Sequence, residues 1–183
     1  MKSEKELLEL VKKYGWNFIS SFQILSESFI EKFQDRIEWN KLSRRQKFSE
    51  SFIEKFQDKV DWKWISQKQI LSESFIEKFQ DKVDWNFISQ YQKLSESFIE
   101  KFKDKVNWEE ISYCQKLSEE FIEKFKDKVD WDGISSEQPL SEEFVLNNFS
   151  KIDKFALKQN EYFDFKNIKN TELKLLLELR GGF

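Results

Sequence analysis

Carboxylates are the side chains of this 183-residue chain whose number and spacing could most readily do chemistry. Glu27, Glu31 and Asp35 are four residues apart, so on a helix they form one acidic row. Paired carboxylates serve general acid–base catalysis, and clustered carboxylates bind hard cations. The same row recurs along the chain, whereas a single catalytic centre needs no identical copies. We therefore interpret the rows as solvated faces with weak lateral ion pairs, and we expect neither a metal nor a cofactor.

The missing residue types exclude the common catalysts. The chain has no His and one Cys, Cys114. Without His there is no Ser-His-Asp or Cys-His arrangement, and one Cys forms neither a zinc cluster nor an internal disulfide. No Gly-rich loop is present that could hold a phosphate group. We interpret Cys114 as an ordinary unpaired thiol and predict that the protein is not an enzyme.

Charge and hydropathy narrow the class of protein further. The net charge of −3, with both signs mixed, does not indicate a basic nucleic-acid-binding protein. The mean hydropathy of −0.72 is low, but 17% aromatic residues argue against disorder. No apolar run approaches the roughly 18 residues that a membrane span needs, and the N-terminal residues lack a secretory signal. We expect a soluble protein of the cytoplasm.

An internal repeat of 23 residues is the dominant pattern of the chain. Repeats begin at Leu25, Phe48, Leu71, Leu94, Leu117 and Leu140, and a degenerate repeat begins in frame at Lys2. A fixed period of this length predicts stacked supersecondary units. We therefore predict an all-α solenoid of seven two-helix repeats. Its expected parts are a capping repeat over 1–24, five regular repeats over 25–139, and a degenerate repeat with a capping helix over 140–183.

Positions within one repeat are numbered 1 to 23 from here on. Ser at position 2 is an N-cap, and apolar residues at positions 5, 6, 9 and 13 predict a first helix of about 11 residues. Position 14 caps a second helix of about 8 residues, with Trp at 15 and Ile at 18 facing inward. Phe at 5, Phe at 9 and Trp at 15 should form three rows. Ser at 19 and Gln at 22 are interpreted as structural, since a small residue allows close approach of helices and the Gln amide can satisfy helix-end carbonyls or the backbone of the next repeat. From Thr171 we predict an N-capped amphipathic helix ending at Gly181.

Positions 16, 17, 20 and 21 differ between repeats, and they share one face of the second helix. Aromatic residues mixed with Arg, Lys and Gln are typical of protein interfaces. This pattern predicts a partner-binding face made of Phe18, Phe22, Lys41, Arg44, Arg45, Lys63, Trp64, Gln67, Phe87, Gln90, Tyr91, Glu109 and Tyr113. The face is basic from Arg44 to Lys68 and acidic from Glu109 to Glu137.

Three alternatives to protein binding stay open. The basic stretch Lys41–Lys68 could bind nucleic acid, with Trp64 stacking on bases. The array could be a structural spacer, or the variable face could reflect neutral drift. Drift would rarely place so many aromatic residues in water, so the pattern favours binding to another protein.

The phrase Leu-Ser-Glu-x-Phe-Ile-Glu-Lys-Phe, followed by Asp-Lys-Val-Asp-Trp-x-x-Ile-Ser, resembles a short helical repeat of proteins from large DNA viruses, phages and bacteria. The resemblance covers roughly residues 2–160. It implies a helical array with no assigned enzymatic activity, and it provides no functional residues to transfer. The viral and phage association implies a host or viral protein as partner, for example a host defence factor such as a CRISPR-type nuclease that this protein would inhibit.

Overall fold

The structure, a computed structural model, describes the backbone of residues 2–181 and the side chains of residues 2–178. Fourteen α-helices and one short 3-10 helix, Phe165–Asn167, occupy the described residues, which contain no strand. The prediction of an all-α solenoid of 23-residue helix pairs is confirmed. Among the described residues, no helix combines the length and the apolar character that crossing a bilayer requires.

A regular repeat contains a first helix of six residues and a second helix of seven residues. The first helices are α2 (Glu27–Lys32), α4 (Glu50–Lys55), α6 (Glu73–Lys78), α8 (Glu96–Lys101), α10 (Glu119–Lys124) and α12 (Glu142–Asn147). The second helices are α3 (Trp39–Arg45), α5 (Trp62–Lys68), α7 (Trp85–Tyr91), α9 (Trp108–Cys114), α11 (Trp131–Glu137) and, with six residues, α13 (Lys154–Gln159). The ends are α1 (Glu4–Phe22) and α14 (Thr171–Gly181).

The prediction of about 11 residues for the first helix was wrong. In the repeat from Phe48, the helix ends at Lys55, its C-cap Phe56 has φ −111° and ψ 29°, and the chain continues as a turn. The indole Nε1 of Trp62 donates a hydrogen bond of 2.8 Å to the carbonyl of Gln57. This carbonyl is therefore satisfied without a further helical turn. Val60, at position 13 of the apolar stripe, is therefore buried from the turn and not from the helix.

The predicted caps are present except at α3, where Glu38 makes no side-chain cap hydrogen bond. Ser49 Oγ accepts a hydrogen bond of 3.3 Å from the backbone N–H of Phe52. Asp61 accepts from the N–H groups of Lys63 and Trp64 at 3.1 and 3.3 Å. These bonds satisfy N–H groups that have no partner within their own helix, and so they define where both helices of a repeat begin.

The first repeat departs from the pattern. The helix α1 extends from Glu4 to Phe22, but Gly15 inside it has the non-helical dihedral angles φ 83° and ψ 169°. Gly15 occupies position 14, where four of the five regular repeats carry a capping Asp or Asn and the repeat from Leu25 carries Glu38. A positive φ suits glycine because it has no Cβ. The kink thus replaces the turn between the two helices, and Ser3 and Glu6 form a capping box at the beginning of α1.

The chain divides into two compact units, Met1–Gln92 and Lys93–Phe183. We call them the N-terminal unit and the C-terminal unit. In the N-terminal unit, α1, α3, α5 and α7 pack side by side in that order. In the C-terminal unit, α9, α11 and α13 do the same, and α14 packs on α12.

Aromatic contacts connect the predicted rows to one another. Phe52 and Phe56 of one repeat have ring centroids 4.7 Å apart. Trp39 of the preceding repeat lies against both, at 6.2 and 5.0 Å. The Trp is half-buried, and the two Phe are buried. Each such contact therefore joins a second helix to the next first helix, at spacings that suit offset and tilted ring pairs.

The recurring Ser and Gln have a structural role, as predicted, but their bonds differ from the expected ones: the Ser hydroxyl bonds the backbone of the next repeat, and the Gln amide donates to that of the preceding repeat. Ser43 Oγ donates to the carbonyl of Trp39 at 2.8 Å and accepts from the N–H of Asp61 in the next repeat at 3.0 Å. Gln69 Oε1 accepts from the N–H of Phe48 at 3.0 Å, and its Nε2 donates to the carbonyl of Gln46 in the preceding repeat at 2.8 Å. Among the described residues, every buried side-chain nitrogen and oxygen has a hydrogen-bond partner.

In the last repeat, a different residue makes the hydrogen bonds that the Gln makes in a regular repeat. Asn160 donates to the carbonyls of Ser135 and Gln138, both at 2.8 Å, and it lies one position earlier than the Gln of a regular repeat.

Asn170 Oδ1 caps α14 by accepting hydrogen bonds from the N–H groups of Glu172 and Leu173. Backbone hydrogen bonds from Lys169 and Asn170 lower the pKa of Glu142. The C-terminal cap is thus held to α12 by hydrogen bonds as well as by packing.

Candidate protein-binding face

The second helices separate fixed residues from variable ones by burial. Positions 18 and 19 are completely buried, as in Ile65 and Ser66. Positions 16 and 21 are exposed in every regular repeat, and positions 17 and 20 are mostly half-buried. The four variable positions therefore lie on one side of the helix, as predicted. The structure adds an order to them: exposed positions flank half-buried ones.

Positions 17 and 20 of neighbouring repeats contact each other in the N-terminal unit. The Arg44 guanidinium lies over the Trp64 ring, 4.8 Å from its centroid. At position 16, Lys63 Nζ lies 5.6 Å from the centroid of the Phe87 ring. Cation–π contacts of this kind contribute about 0.5–1 kcal/mol at exposed sites. These residues join adjacent repeats and are only partly available to a partner.

Exposed aromatic residues mark both ends of the part of this face that lies in the N-terminal unit. Phe18 packs on Phe22 with centroids 5.1 Å apart, and Phe22 remains 65% exposed. At the other end Phe87 and Tyr91 are 6.0 Å apart, and Tyr91 is 52% exposed. Neighbouring rings thus support the exposed ones. Large exposed rings are the side chains most enriched in the energetically important part of protein interfaces.

The two units carry opposite charges at the variable positions. In the N-terminal unit these positions hold five cations and no carboxylate: Lys41, Arg44, Arg45, Lys63 and Lys68. In the regular repeats of the C-terminal unit they hold four carboxylates and no cation: Glu109, Glu110, Asp132 and Glu137. The predicted change of sign along the sequence is therefore a difference between the two compact units.

In the C-terminal unit, Tyr113 covers Gly133 of the next repeat. A Cβ added to Gly133 would lie 2.9 Å from Tyr113 Cδ2 and 3.1 Å from the Ser112 backbone carbon. Partial burial raises the pKa of the Tyr113 hydroxyl, and the carboxylates of Asp130, Asp132, Glu109 and Glu137 add to this effect. Position 20 of one repeat thus packs against position 17 of the next, as Arg44 packs on Trp64.

Cys114 shows no sign of an activated thiol. Its Sγ lies 3.8 Å from Glu110 Oε2. Burial raises the pKa of the thiol, and the negative charge of Glu110 raises it further. A reactive cysteine needs the opposite shift, so these surroundings favour an ordinary free thiol.

The acidic rows have structural contacts. Glu50 accepts hydrogen bonds from the backbone N–H and the hydroxyl of Ser72 in the next repeat. Lys78 pairs with Glu54 at 2.5 Å, and Lys82 pairs with Asp58 at 2.8 Å. Within residues 2–181, no group of three or more Asp, Glu or Cys side chains could hold a metal ion. The carboxylates therefore link successive first helices.

Sequence reasoning missed the three most exposed large apolar residues of the described part of the chain. Ile24 and Ile70 occupy position 23 and are 73% and 91% exposed. Phe155 occupies position 16 of the last repeat and is 76% exposed. The sequence does contain a signal for them. Ile24 and Ile70 stand where three of the regular repeats have Lys, and Phe155 lies at a variable position of the last repeat. The thirteen predicted residues divide between the two units: eleven lie in the N-terminal unit, and Glu109 and Tyr113 lie in the C-terminal unit.

Comparison of the chain with protein-family models, with curated proteins and with solved structures finds no match.

Proposed function

We propose that the protein is a non-enzymatic repeat scaffold that binds another protein through the variable face of its second helices. One observation carries this proposal. In the same seven-residue helices, positions 18 and 19 are constant in character and buried, whereas positions 16 and 21 vary and are exposed. The fixed residues account for the packing of the array. The exposed rings of Phe22 and Tyr91 are not needed for that packing, and exposed aromatic residues in a shared face favour an interface.

The identity of the partner is a finer part of the proposal. A host or viral protein, such as a nuclease-based defence factor in the cytoplasm, is the partner that the resemblance of the repeat implies. That part rests on the resemblance alone. The charges at the variable positions add one physical constraint, since the two units favour surfaces of opposite sign.

Affinity capture from the native cells tests the proposal. Tagged protein is compared with a variant in which Phe22, Tyr91 and Tyr113 are changed to Ser, and captured proteins are quantified by mass spectrometry. A control variant with Ser51→Glu and Ser74→Glu alters exposed first-helix residues instead. A partner retained by the control and depleted at least about tenfold by the face variant supports the proposal. Equal retention by both variants contradicts it and favours a structural spacer.

Nucleic-acid binding is the second candidate, because the variable positions of the N-terminal unit hold five cations and no carboxylate. Phosphate contacts would make such binding strongly dependent on salt. Fluorescence polarisation with single-stranded and duplex oligonucleotides at low salt decides this. Binding that rises with falling salt and disappears in Arg45→Glu/Lys68→Glu supports it, and a flat titration excludes it.

A further inference from the structure

We propose that the N-terminal unit binds an acidic protein segment that carries an apolar side chain at each end. This inference rests on the proposed protein-binding function and names the chemistry of the partner. Four residues carry it: Phe22, Arg45, Lys68 and Tyr91. They occupy position 21 of four successive repeats, and we call them the exposed row.

The exposed row places two cations between two aromatic rings. Its outer members, Phe22 and Tyr91, are 65% and 52% exposed, and both inner members are exposed as well. In the described part of the chain, the side chains of Arg45 and Lys68 have no ion pair, hydrogen bond or ring contact. Two cations without neutralising carboxylates, flanked by apolar surface, are complementary to carboxylates flanked by apolar side chains.

The other cations of this face already have partners. Lys41 Nζ donates to Asn17 Oδ1 at 2.6 Å. Arg44 and Lys63 lie over aromatic rings of the next repeat. Arg45 and Lys68 are therefore the cations with the most to gain from an acidic ligand, because binding would not disrupt an existing contact.

The order of the helices sets the length of the segment. Phe22 belongs to α1 and Tyr91 to α7, and α3 and α5 lie between them. Packed helices have axes about 8–10 Å apart, so three steps give roughly 24–30 Å. An α-helical ligand rises 1.5 Å per residue and spans that distance with about 16–20 residues.

The rings of this face favour a protein segment over a nucleic acid. Single-stranded nucleic acid is bound by bases that stack on open aromatic faces. The Trp64 ring is covered on one face by Arg44, and the Phe87 ring has Lys63 above it. Beside Phe22, Ile24 is 73% exposed. An exposed aliphatic side chain offers a base no ring to stack on, whereas an apolar side chain of a peptide can pack against it.

A designed peptide tests the inference with the complete chain. The probe is a fluorescein-labelled 20-residue Ala/Glu peptide with six central Glu and two Leu at each end. Its affinity is measured by fluorescence polarisation at 150 mM salt. Variants are Arg45→Glu/Lys68→Glu for the cations and Phe22→Ser/Tyr91→Ser for the rings. Matched controls are Lys93→Glu/Lys116→Glu and Phe155→Ser, which change exposed residues outside the row.

We expect each row variant to weaken binding at least about tenfold, and each control to leave it within about twofold. A peptide with Lys in place of Glu should bind the Arg45→Glu/Lys68→Glu variant better than it binds the wild type. Equal affinity for wild type and row variants, or no binding to the wild type, overturns the inference.

Two further measurements identify other occupants. If a 20-nucleotide oligothymidine binds more tightly than the peptide, and the Arg45→Glu/Lys68→Glu variant loses this binding, the row binds nucleic acid and the inference is overturned. If sedimentation velocity shows a dimer of the wild type that the Phe22→Ser/Tyr91→Ser variant does not form, the row binds a second copy of the chain and the inference is also overturned. If a protein partner is captured through the face but the peptide fails, the proposed function stands and only the chemistry assigned here is wrong.

Discussion

The second helices of the two compact units have the same buried side and different exposed sides. Ile65 and Ser66 in the N-terminal unit are as completely buried as Ile111 and Ser112 in the C-terminal unit. At the variable positions, the first unit presents cations with aromatic rings, whereas the regular repeats of the second present carboxylates with Tyr113. The comparison separates two requirements on one helix. Packing determines the residues on the buried side of each second helix. The packing of that side requires no charge of either sign on the exposed side.

The largest expected effect is a loss of stability when the buried Ile at position 18 is truncated, since both units have this residue. Ile65→Ala and Ile111→Ala should each reduce the free energy of unfolding by about 2–5 kcal/mol, because each removes a completely buried side chain and leaves a cavity. Urea unfolding followed by circular dichroism measures both losses. Losses that differ by more than about 2 kcal/mol would show that the two units do not share one packing scheme.

The second effect concerns the buried amides that join repeats. Gln69→Ala leaves the N–H of Phe48 and the carbonyl of Gln46 without their side-chain partner. We expect a loss of about 1–3 kcal/mol, since buried polar groups without a partner carry a desolvation cost. Gln138→Ala in the C-terminal unit should behave alike, because Gln138 bonds Leu117, Ser112 and Gln115. The same unfolding experiment applies, and Gln90→Ala, at the half-buried position 20, is the matched control. A stability unchanged by Gln→Ala would rule out the structural role of position 22.

The third effect distinguishes the units. Gly133→Ala should destabilise the C-terminal unit by about 1 kcal/mol, because overpacking against Tyr113 and Ser112 outweighs the gain in helix propensity. In a Tyr113→Ala background the loss should be smaller, since the nearest clash is removed. A double-mutant cycle in urea measures this coupling. Equal effects of Gly133→Ala in both backgrounds would contradict the contact.

The smallest effect concerns the corresponding pair of the N-terminal unit. Arg44→Ala should cost about 0.5–1 kcal/mol, and less than half of that in a Trp64→Ala background, because the cation–π contact is then already lost. Arg44→Lys keeps the charge and serves as control. Additive losses in the thermodynamic cycle would show that the two side chains do not interact.

The sequence predicts the repeat, its caps and its buried stripe because these depend on local chemistry. Ser49 and Asp61 cap helices through neighbours two or three residues away, so their role is visible in the spacing alone. The early end of the first helix was not predicted, because it depends on the hydrogen bond from the indole of Trp62 to the carbonyl of Gln57. This bond joins a side chain of one helix to the turn before it, and neither helix propensity nor capping patterns indicate it.

The variable face was predicted as a set of residues but not as a set of contacts. The sequence places Arg44 and Trp64 on the same face without showing that one covers the other. It also gives no reason for Gly133, whose space is taken by Tyr113 of the preceding repeat. These contacts join residues about one repeat apart, and their geometry depends on how the repeats stack. Within the exposed row, Phe22 and Tyr91 pack on rings of their own helices, and the side chains of Arg45 and Lys68 make no such contact with a described residue.

The central claim is that the fixed residues maintain the fold while the exposed face of the N-terminal unit binds a partner. It is tested most directly by one variant carrying Phe22→Ser, Arg45→Glu, Lys68→Glu and Tyr91→Ser, measured for both thermal unfolding and binding of the acidic peptide. The account predicts a stability within about 0.5 kcal/mol per site of the wild type, as for other surface changes, and binding weakened at least about a hundredfold. A variant that folds as well as the wild type and still binds the peptide with unchanged affinity would contradict the account.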